Sequence, residues 1–158
     1  MKIIKKTDAR GLEVAEIEII YKTTLKASER PRITKSQNAS EIFCSVYDPN
    51  KIAYKEFFYV MYLNNANAVL GVMKVSEGGV NSTICDPIMI IQGAIKLNAK
   101  GIILSHNHPS GNLSPSEADI KMTSVIKQGA ELFSIKLYDH IIINSENNYF
   151  SFADDGLI

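Results

Sequence analysis

Gly101-Ile102-Ile103-Leu104-Ser105-His106-Asn107-His108-Pro109-Ser110-Gly111 is the stretch on which the fold of this chain turns. Residues 101–105 are a short apolar run and predict a buried strand. Strand residues two apart share a face, about 6.5–7 Å from one another. His106 and His108 can therefore converge from one backbone segment. Pro109 and Gly111 stop the strand and turn the chain, and Gly111 tolerates the positive φ of a tight turn. Beyond the turn, Ser114-Pro115-Ser116-Glu117-Ala118-Asp119 reads as a helix start. Ser114 is its expected N-cap, Pro115 its first residue and Glu117 the partner that closes a capping box. Asp119 then falls in the second turn, where it can fold back over the strand end.

Two imidazoles, a hydroxyl and a carboxylate within fourteen residues are the donor set of a mononuclear zinc site. His106, His108 and Asp119 as ligands leave one tetrahedral position open, the arrangement of catalytic rather than structural zinc. Bound zinc brings the pKa of its water down to about 7. Hydrolysis also needs a proton carrier, worth roughly 10²–10⁴ in rate. It needs a donor for the oxyanion as well, worth roughly 10²–10³, and Ser116 can be that donor. Ser105 and Asn107 alternate to the opposite face, which predicts sheet packing or the orientation of neighbours. His140, beside Asp139 in an apolar run, is expected to be structural rather than a ligand.

The joint pattern, His106-x-His108, seven residues, Ser116, two residues, Asp119, resembles the signature of the JAMM metallopeptidases, the JAB/MPN domains. It is more narrowly similar to the RadC branch of that family. The residues that carry this likeness are Leu104 to Asn112, Pro115-Ser116-x-x-Asp119, Leu137-Tyr138-Asp139-His140-Ile141-Ile142 and Tyr149 to Leu157. The resemblance runs over residues 38–158. It implies an α/β fold with a mixed β-sheet sandwiched by helices, a cytidine-deaminase-like α/β/α sandwich. It also implies Zn²⁺ held by His106, His108 and Asp119, and a peptide or an isopeptide-linked protein as substrate. The branch carries a DNA-repair name, which is not a mechanism.

In the family a catalytic glutamate opens an early strand. Here that position is Glu56, in Tyr54 to Leu63, and the resemblance implies that it is the general base. Glu77, in Ser76-Glu77-Gly78-Gly79, is its rival. Glu117 is assigned to the cap. An Asp-His pair is expected at Asp139-His140, with a supporting role behind the site. Longer RadC proteins carry an N-terminal helix-hairpin-helix region, and no Gly-x-Gly hairpin pattern precedes residue 40. That weighs against duplex binding. Two other functions stand beside the hydrolase. One is a non-catalytic MPN scaffold, which intact ligands speak against. The other is a DNA-repair factor that touches DNA through a basic arm.

At 158 residues, 46% hydrophobic and 22% charged, the chain has enough apolar content for one core. Residues 1–35 are expected to form an N-terminal strand and basic arm, and residues 36–158 the RadC-like domain. Net charge is zero, unlike most nucleic-acid modules. Residues 1–35 nevertheless carry nine basic and five acidic side chains, including Arg10, Arg30 and Arg32, all the arginines of the chain. No apolar run is long enough to span a membrane, and no signal peptide is visible at the N-terminus. A cytoplasmic protein is therefore expected. Cys44 and Cys85 should be reduced and partly buried. With no Pro-Cys-x-x-Cys segment, zinc-deaminase chemistry is excluded. The contiguous His-Asn-His lacks the spacing of the nucleases named for those letters. Nothing in the sequence fixes an oligomeric state.

Around this centre the periodicities predict a strand over 12–24, an extended arm to residue 35 and a short helix from Ser36 to about Tyr47. Its expected inward residues are Ile42, Phe43 and Val46. Strands over 56–63 and 68–75 follow, joined by an Asn64-Asn65-Ala66-Asn67 turn. Asp86-Pro87 opens a helix with Ile88, Ile91, Ile95 and Leu97 inward. After the metal strand, a helix from Pro115 to about Glu131 turns Ile120, Val125 and Leu132 inward. Strands over 135–144 and 149–152 close the chain around a Ser145–Asn148 turn.

Overall fold

The computed structural model describes residues 25–78 and 85–158, together with the backbone of 3–7 and 13–17. In chain order the elements are β1 (Ile3–Thr7), β2 (Glu13–Ile17), α1 (Ser36–Val46), β3 (Phe57–Leu63), β4 (Val69–Glu77), α2 (Pro87–Lys96), β5 (Gly101–Asn107), α3 (Glu117–Glu131), β6 (Lys136–Ile143) and β7 (Tyr149–Ser151). Five strands form one sheet in the order β4-β3-β5-β6-β7. β5 and β6 are parallel, and every other neighbouring pair is antiparallel. A parallel pair needs a long crossover, and α3 supplies it.

Each face of the sheet has its own core. Phe57, Tyr59, Met61, Ile103, Ile141 and Ile143 pack with Ala39 and Phe43 of α1. Phe58, Val60, Tyr62, Ile102 and Leu104 pack with Ile90 and Ala94 of α2 and Ile126 and Ala130 of α3. The architecture is therefore an α/β fold in which helices sandwich a mixed sheet, as the sequence predicts. All seven residues of β5 are buried. Its isoleucines and leucine each stabilise the fold by about 1.5–3 kcal/mol. Gly93 lets α2 approach β3 closely: a Cβ there would collide with the Tyr62 hydroxyl. Between β3 and β4 the Asn64 Oδ1 accepts from the Ala66 and Ala68 amides, both at 2.9 Å. Asn67 takes φ 54, so the asparagine-rich link is the hairpin turn expected of it.

β1 and β2 form a separate antiparallel pair. β2 lies within the strand expected over 12–24, whose remainder falls outside the described residues. β1 was not anticipated. The arm contains a short 3-10 turn at Ala27–Glu29. It meets the start of β4 through a bridge between Arg32 and Ala68 and through the Val69 amide, which donates to the Pro31 carbonyl at 2.9 Å.

Three helix faces differ from expectation. In α2, Ile88, Met89 and Ile95 are exposed, while Ile90 and Ala94 are buried. Apolar residues surround this helix on all sides, so the choice fell to the pair whose small Ala94 permits close approach. In α3, Ile120, Val125 and Leu132 are exposed, and the buried stripe is Asp119, Thr123, Ile126 and Ala130. Two polar residues lead that stripe because its first turn faces a polar site and not the core. In α1, Phe43 is buried and Ile42 partly so, whereas Val46 is exposed. Among the described residues no helix is long and apolar enough to cross a membrane.

Candidate metal centre

The site forms where β5 ends and α3 begins. Gly111 takes φ 82 and its amide donates to the His108 carbonyl at 3.0 Å, closing the turn at Pro109-Ser110. That turn delivers the Asn112 carbonyl to within 2.6 Å of His108 Nδ1. The helix start then departs from expectation. Ser114 is not the cap; its amide donates to the Asn112 side chain at 3.0 Å. Ser116 is the N-cap, α3 begins at Glu117, and the capping partner is Asp119. Both Ser-x-x-acid registers satisfy the sequence rule. Asp119 wins because its Oδ2 accepts from the Ser116 amide at 2.8 Å and from the Ser116 hydroxyl at 2.6 Å. Asp119 thus lies in the first turn, not the second, and Glu117 points to solvent.

His106, His108 and Asp119 come together, with their ligand atoms all within 4.8 Å of one another. His106 Nε2 lies 2.9 Å from His108 Nε2 and 3.3 Å from Asp119 Oδ1, and His108 Nε2 lies 3.6 Å from Asp119 Oδ2. A carbonyl can only accept, so His108 Nδ1 donates to Asn112 and the neutral ring has its lone pair on Nε2. That lone pair faces the His106 nitrogen and the carboxylate. Acceptors that converge in this way offer a place for a cation, and two imidazoles with a carboxylate suit a divalent metal ion. The residues fit. Burial pushes the Asp119 carboxyl up, but the adjoining His106 and His108 side chains, with the Ser116 hydroxyl, outweigh it and hold the group well below the usual carboxylate range. The hydrogen bond to that carboxylate, opposed by desolvation, raises His108 above the ordinary imidazole value. Both shifts favour a charge-bearing cluster.

Glu56 lies just before β3. Phe58, two residues on, pairs with His106, and Glu56 lies near enough to His106, His108 and Asp119 to feel their charges. Desolvation raises the Glu56 pKa, against the charges of His106 and His108. Lys55, its neighbour, bonds Glu77 at 3.0 Å. Glu77 is also held by Lys74 at 2.8 Å. These two hydrogen bonds, Lys74 first, bring its carboxyl down to about 2. Ser116 stands exposed at the rim with its hydroxyl on Asp119.

Residues expected only to support the site prove specific. On the far face of β5, Asn107 Oδ1 accepts from the Phe57 amide at 2.8 Å. Its Nδ2 donates to the Ile52 and Lys55 carbonyls at 2.8 and 2.7 Å. One side chain thereby pins the segment that bears Glu56. Ser105 bonds the buried Tyr47 hydroxyl at 3.0 Å. His140 stands beside the cluster of His106, His108 and Asp119. It is fully buried, its Nε2 lies 2.8 Å from His106 Nδ1, and desolvation lowers its pKa well below the usual value. Asp139 accepts from the Ser151 hydroxyl at 2.7 Å and from the His140 and Ala153 amides at 2.7 and 3.0 Å. Thr123 escaped the sequence reading. The signal available was its position one helical turn after Asp119, which puts both on one face.

Residues 33–157 match the family model for the RadC-like JAB domain. The chain is 40% identical over 148 residues to a UPF0758 protein of Fusobacterium nucleatum, covering 92% of this chain and 59% of that one. It is 39% identical over 126 residues to a UPF0758 protein of Flavobacterium johnsoniae, covering 80% and 53%. With a UPF0758 protein of Aquifex aeolicus the figures are 34% over 149 residues, 94% and 62%. The chain thus spans between about half and two thirds of the length of these relatives.

Proposed function

The chain belongs to the RadC-like JAB domain family, and from that premise we propose that it is a zinc-dependent hydrolase of peptide or isopeptide bonds, working in the cytoplasm. The observation that carries this reading is the convergence of His106 Nε2, His108 Nε2 and the Asp119 carboxylate. These three residues hold the metal, and with two nitrogens and an oxygen they favour zinc over the harder magnesium and calcium ions. When bound, zinc supplies Lewis acidity toward a carbonyl oxygen and toward water.

The rest falls to the protein's own side chains. Glu56 takes the proton from the attacking water and returns it to the leaving amine. Its raised pKa suits both halves of that task, because a carboxylate too acidic would not hold the proton in between. Ser116 turns its hydroxyl from Asp119 toward the substrate oxygen and steadies the developing charge. Phe58, stacked on His106 with 6.0 Å between ring centroids, gives the inner wall of the site an apolar lining.

The test is direct. Purified protein reconstituted with zinc is expected to hold about one ion per chain. It should then cleave members of a mixed library of quenched fluorescent peptides and lysine-linked isopeptides. Failure to bind zinc at neutral pH would overturn the reading. So would cleavage that survives both chelation and Glu56→Gln.

A further inference from the structure

His140 takes no place among the ligands, yet both its ring nitrogens are engaged. The position of every proton around it follows from the partners. The backbone carbonyl of Asp119 can only accept, and Thr123 Oγ1 lies 2.6 Å from it. Thr123 therefore spends its single hydroxyl proton there. The same oxygen lies 2.6 Å from His140 Nδ1. With its proton committed it can only accept, so His140 Nδ1 bears hydrogen. The ring is fully buried, stacked on Phe152 at 4.7 Å and tilted against Phe58 at 5.6 Å. A cationic ring between two phenyl groups would be costly. His140 Nε2 is consequently bare and accepts across the 2.8 Å contact from His106 Nδ1. The proton of His106 is then fixed on Nδ1. Its lone pair is left on Nε2, the atom 2.9 Å from His108 Nε2 and 3.3 Å from Asp119 Oδ1.

We propose that Thr123 and His140 are positioning residues that select the tautomer of His106, so that its Nε2 lone pair is the one presented to the metal. This deepens the hydrolase reading and rests on its assignment of His106, His108 and Asp119 as ligands. The relay starts at the backbone of one ligand, Asp119, and ends on the ring of another, His106. It runs from α3 through β6 to β5, so the first turn of α3 and the His106 ring are set as one unit. Without it, His106 is free to carry its proton on Nε2, and that tautomer closes the site to a cation. His108 needs no such device, because the Asn112 carbonyl fixes its tautomer directly. A ring nitrogen held by a hydrogen-bonding partner behind the ligand is the usual way a metal-binding histidine is oriented. Here a neutral imidazole and a threonine stand where a carboxylate or a carbonyl commonly does.

The experiment reads tautomers in the metal-free protein, independently of any turnover. Two-bond proton–nitrogen correlation spectra at mildly alkaline pH are expected to show His106 and His140 both protonated on Nδ1. Thr123→Val keeps the side-chain shape and removes the acceptor. It should shift His106 toward the Nε2-protonated form and weaken zinc binding, measured by chelator competition, about 10–100-fold. Thr123→Ser should restore both. A native His106 protonated on Nε2 overturns the proposal. So does a folded Thr123→Val protein that binds zinc as tightly as the native chain. If Thr123→Val does not fold, the native spectrum alone decides. Correct tautomers in a protein that hydrolyses nothing would sink the enzymatic reading and leave the relay standing. Hydrolysis by a protein with the wrong tautomer would do the reverse.

Discussion

At its C-terminal end β5 sends neighbouring residues to opposite faces of the sheet, and the two faces follow opposite rules. On one, His106 meets His108, Asp119 and His140, so four titratable groups share a small volume. On the other, Ser105 and Asn107 are neutral, and their bonds go to a buried tyrosine and to backbone. The reacting face gathers lone pairs that offer a place for a cation. The holding face leaves Asn107 with its amide donors and its carbonyl all engaged. Converging lone pairs on one side are tolerable because the strand beneath them is fixed from the other.

The largest effect should come from breaking the reacting face. His106→Ala removes one of three ligands and the end point of the relay. Zinc content measured by emission spectroscopy is expected to fall from about one per chain to background, and hydrolysis with it. Next comes Glu56→Gln, which should cost roughly 10²–10⁴ in rate while zinc is retained. It has a second readout of opposite sign. Desolvation raises the Glu56 pKa above its ordinary 4.5. At pH values above the raised value the fold carries the cost of a desolvated carboxylate, and below 4.5 neither state does. Glu56→Gln should therefore raise Tm at neutral pH, and the gain should fade on acidification. A fall in Tm at neutral pH would mean that the carboxylate serves the fold and not the reaction.

Breaking the holding face should look different. Asn107→Ala leaves the Phe57 amide and the Ile52 and Lys55 carbonyls without their partner in a buried place. The expected destabilisation is about 2–4 kcal/mol in denaturant titration. Zinc affinity should hold, because no ligand contacts this side chain. The rate should drop roughly 10²-fold as Glu56 loses its anchor. If zinc affinity and rate fall together, the two faces are one cooperative unit and the contrast between them dissolves.

How much of this was legible follows the same contrast. The three ligands lie within fourteen residues, so their convergence depends on local geometry: a strand, a turn and a helix start. Such geometry is written in periodicity, glycine and caps. Even there the register slipped, because Ser114 and Ser116 both head a Ser-x-x-acid pattern, and only the tertiary placement of Asp119 decides between them. The alternation of β5 also told which side Asn107 takes, but not its partners, which lie 50 or more residues away in sequence. Thr123 was overlooked because apolarity was the criterion for an inward face, and the first turns of α3 look onto a polar site. The same criterion misjudged Ile88, Ile95, Ile120, Val125 and Leu132, where several apolar residues compete and packing alone selects among them.

The smallest effect is expected at Glu77, and it sharpens the choice between two carboxylates. Glu77 ends β4 opposite Phe57, one register step from Glu56, yet it is clamped by Lys74 and Lys55. A carboxyl held down to about 2 hardly keeps a proton at neutral pH and makes a poor shuttle. Glu77→Gln should leave the rate within about twofold, since an exposed ion pair contributes little. Its signature should appear in acid instead. With a folded pKa of about 2 against an ordinary 4.5, the carboxylate's stabilising contribution is complete above 4.5 and disappears as pH falls toward 2. Denaturation curves of native and Glu77→Gln protein should therefore differ at neutral pH and converge across that window. If Glu77→Gln stops hydrolysis and Glu56→Gln spares it, the proton carrier is the clamped carboxylate, and the desolvated one belongs to the fold.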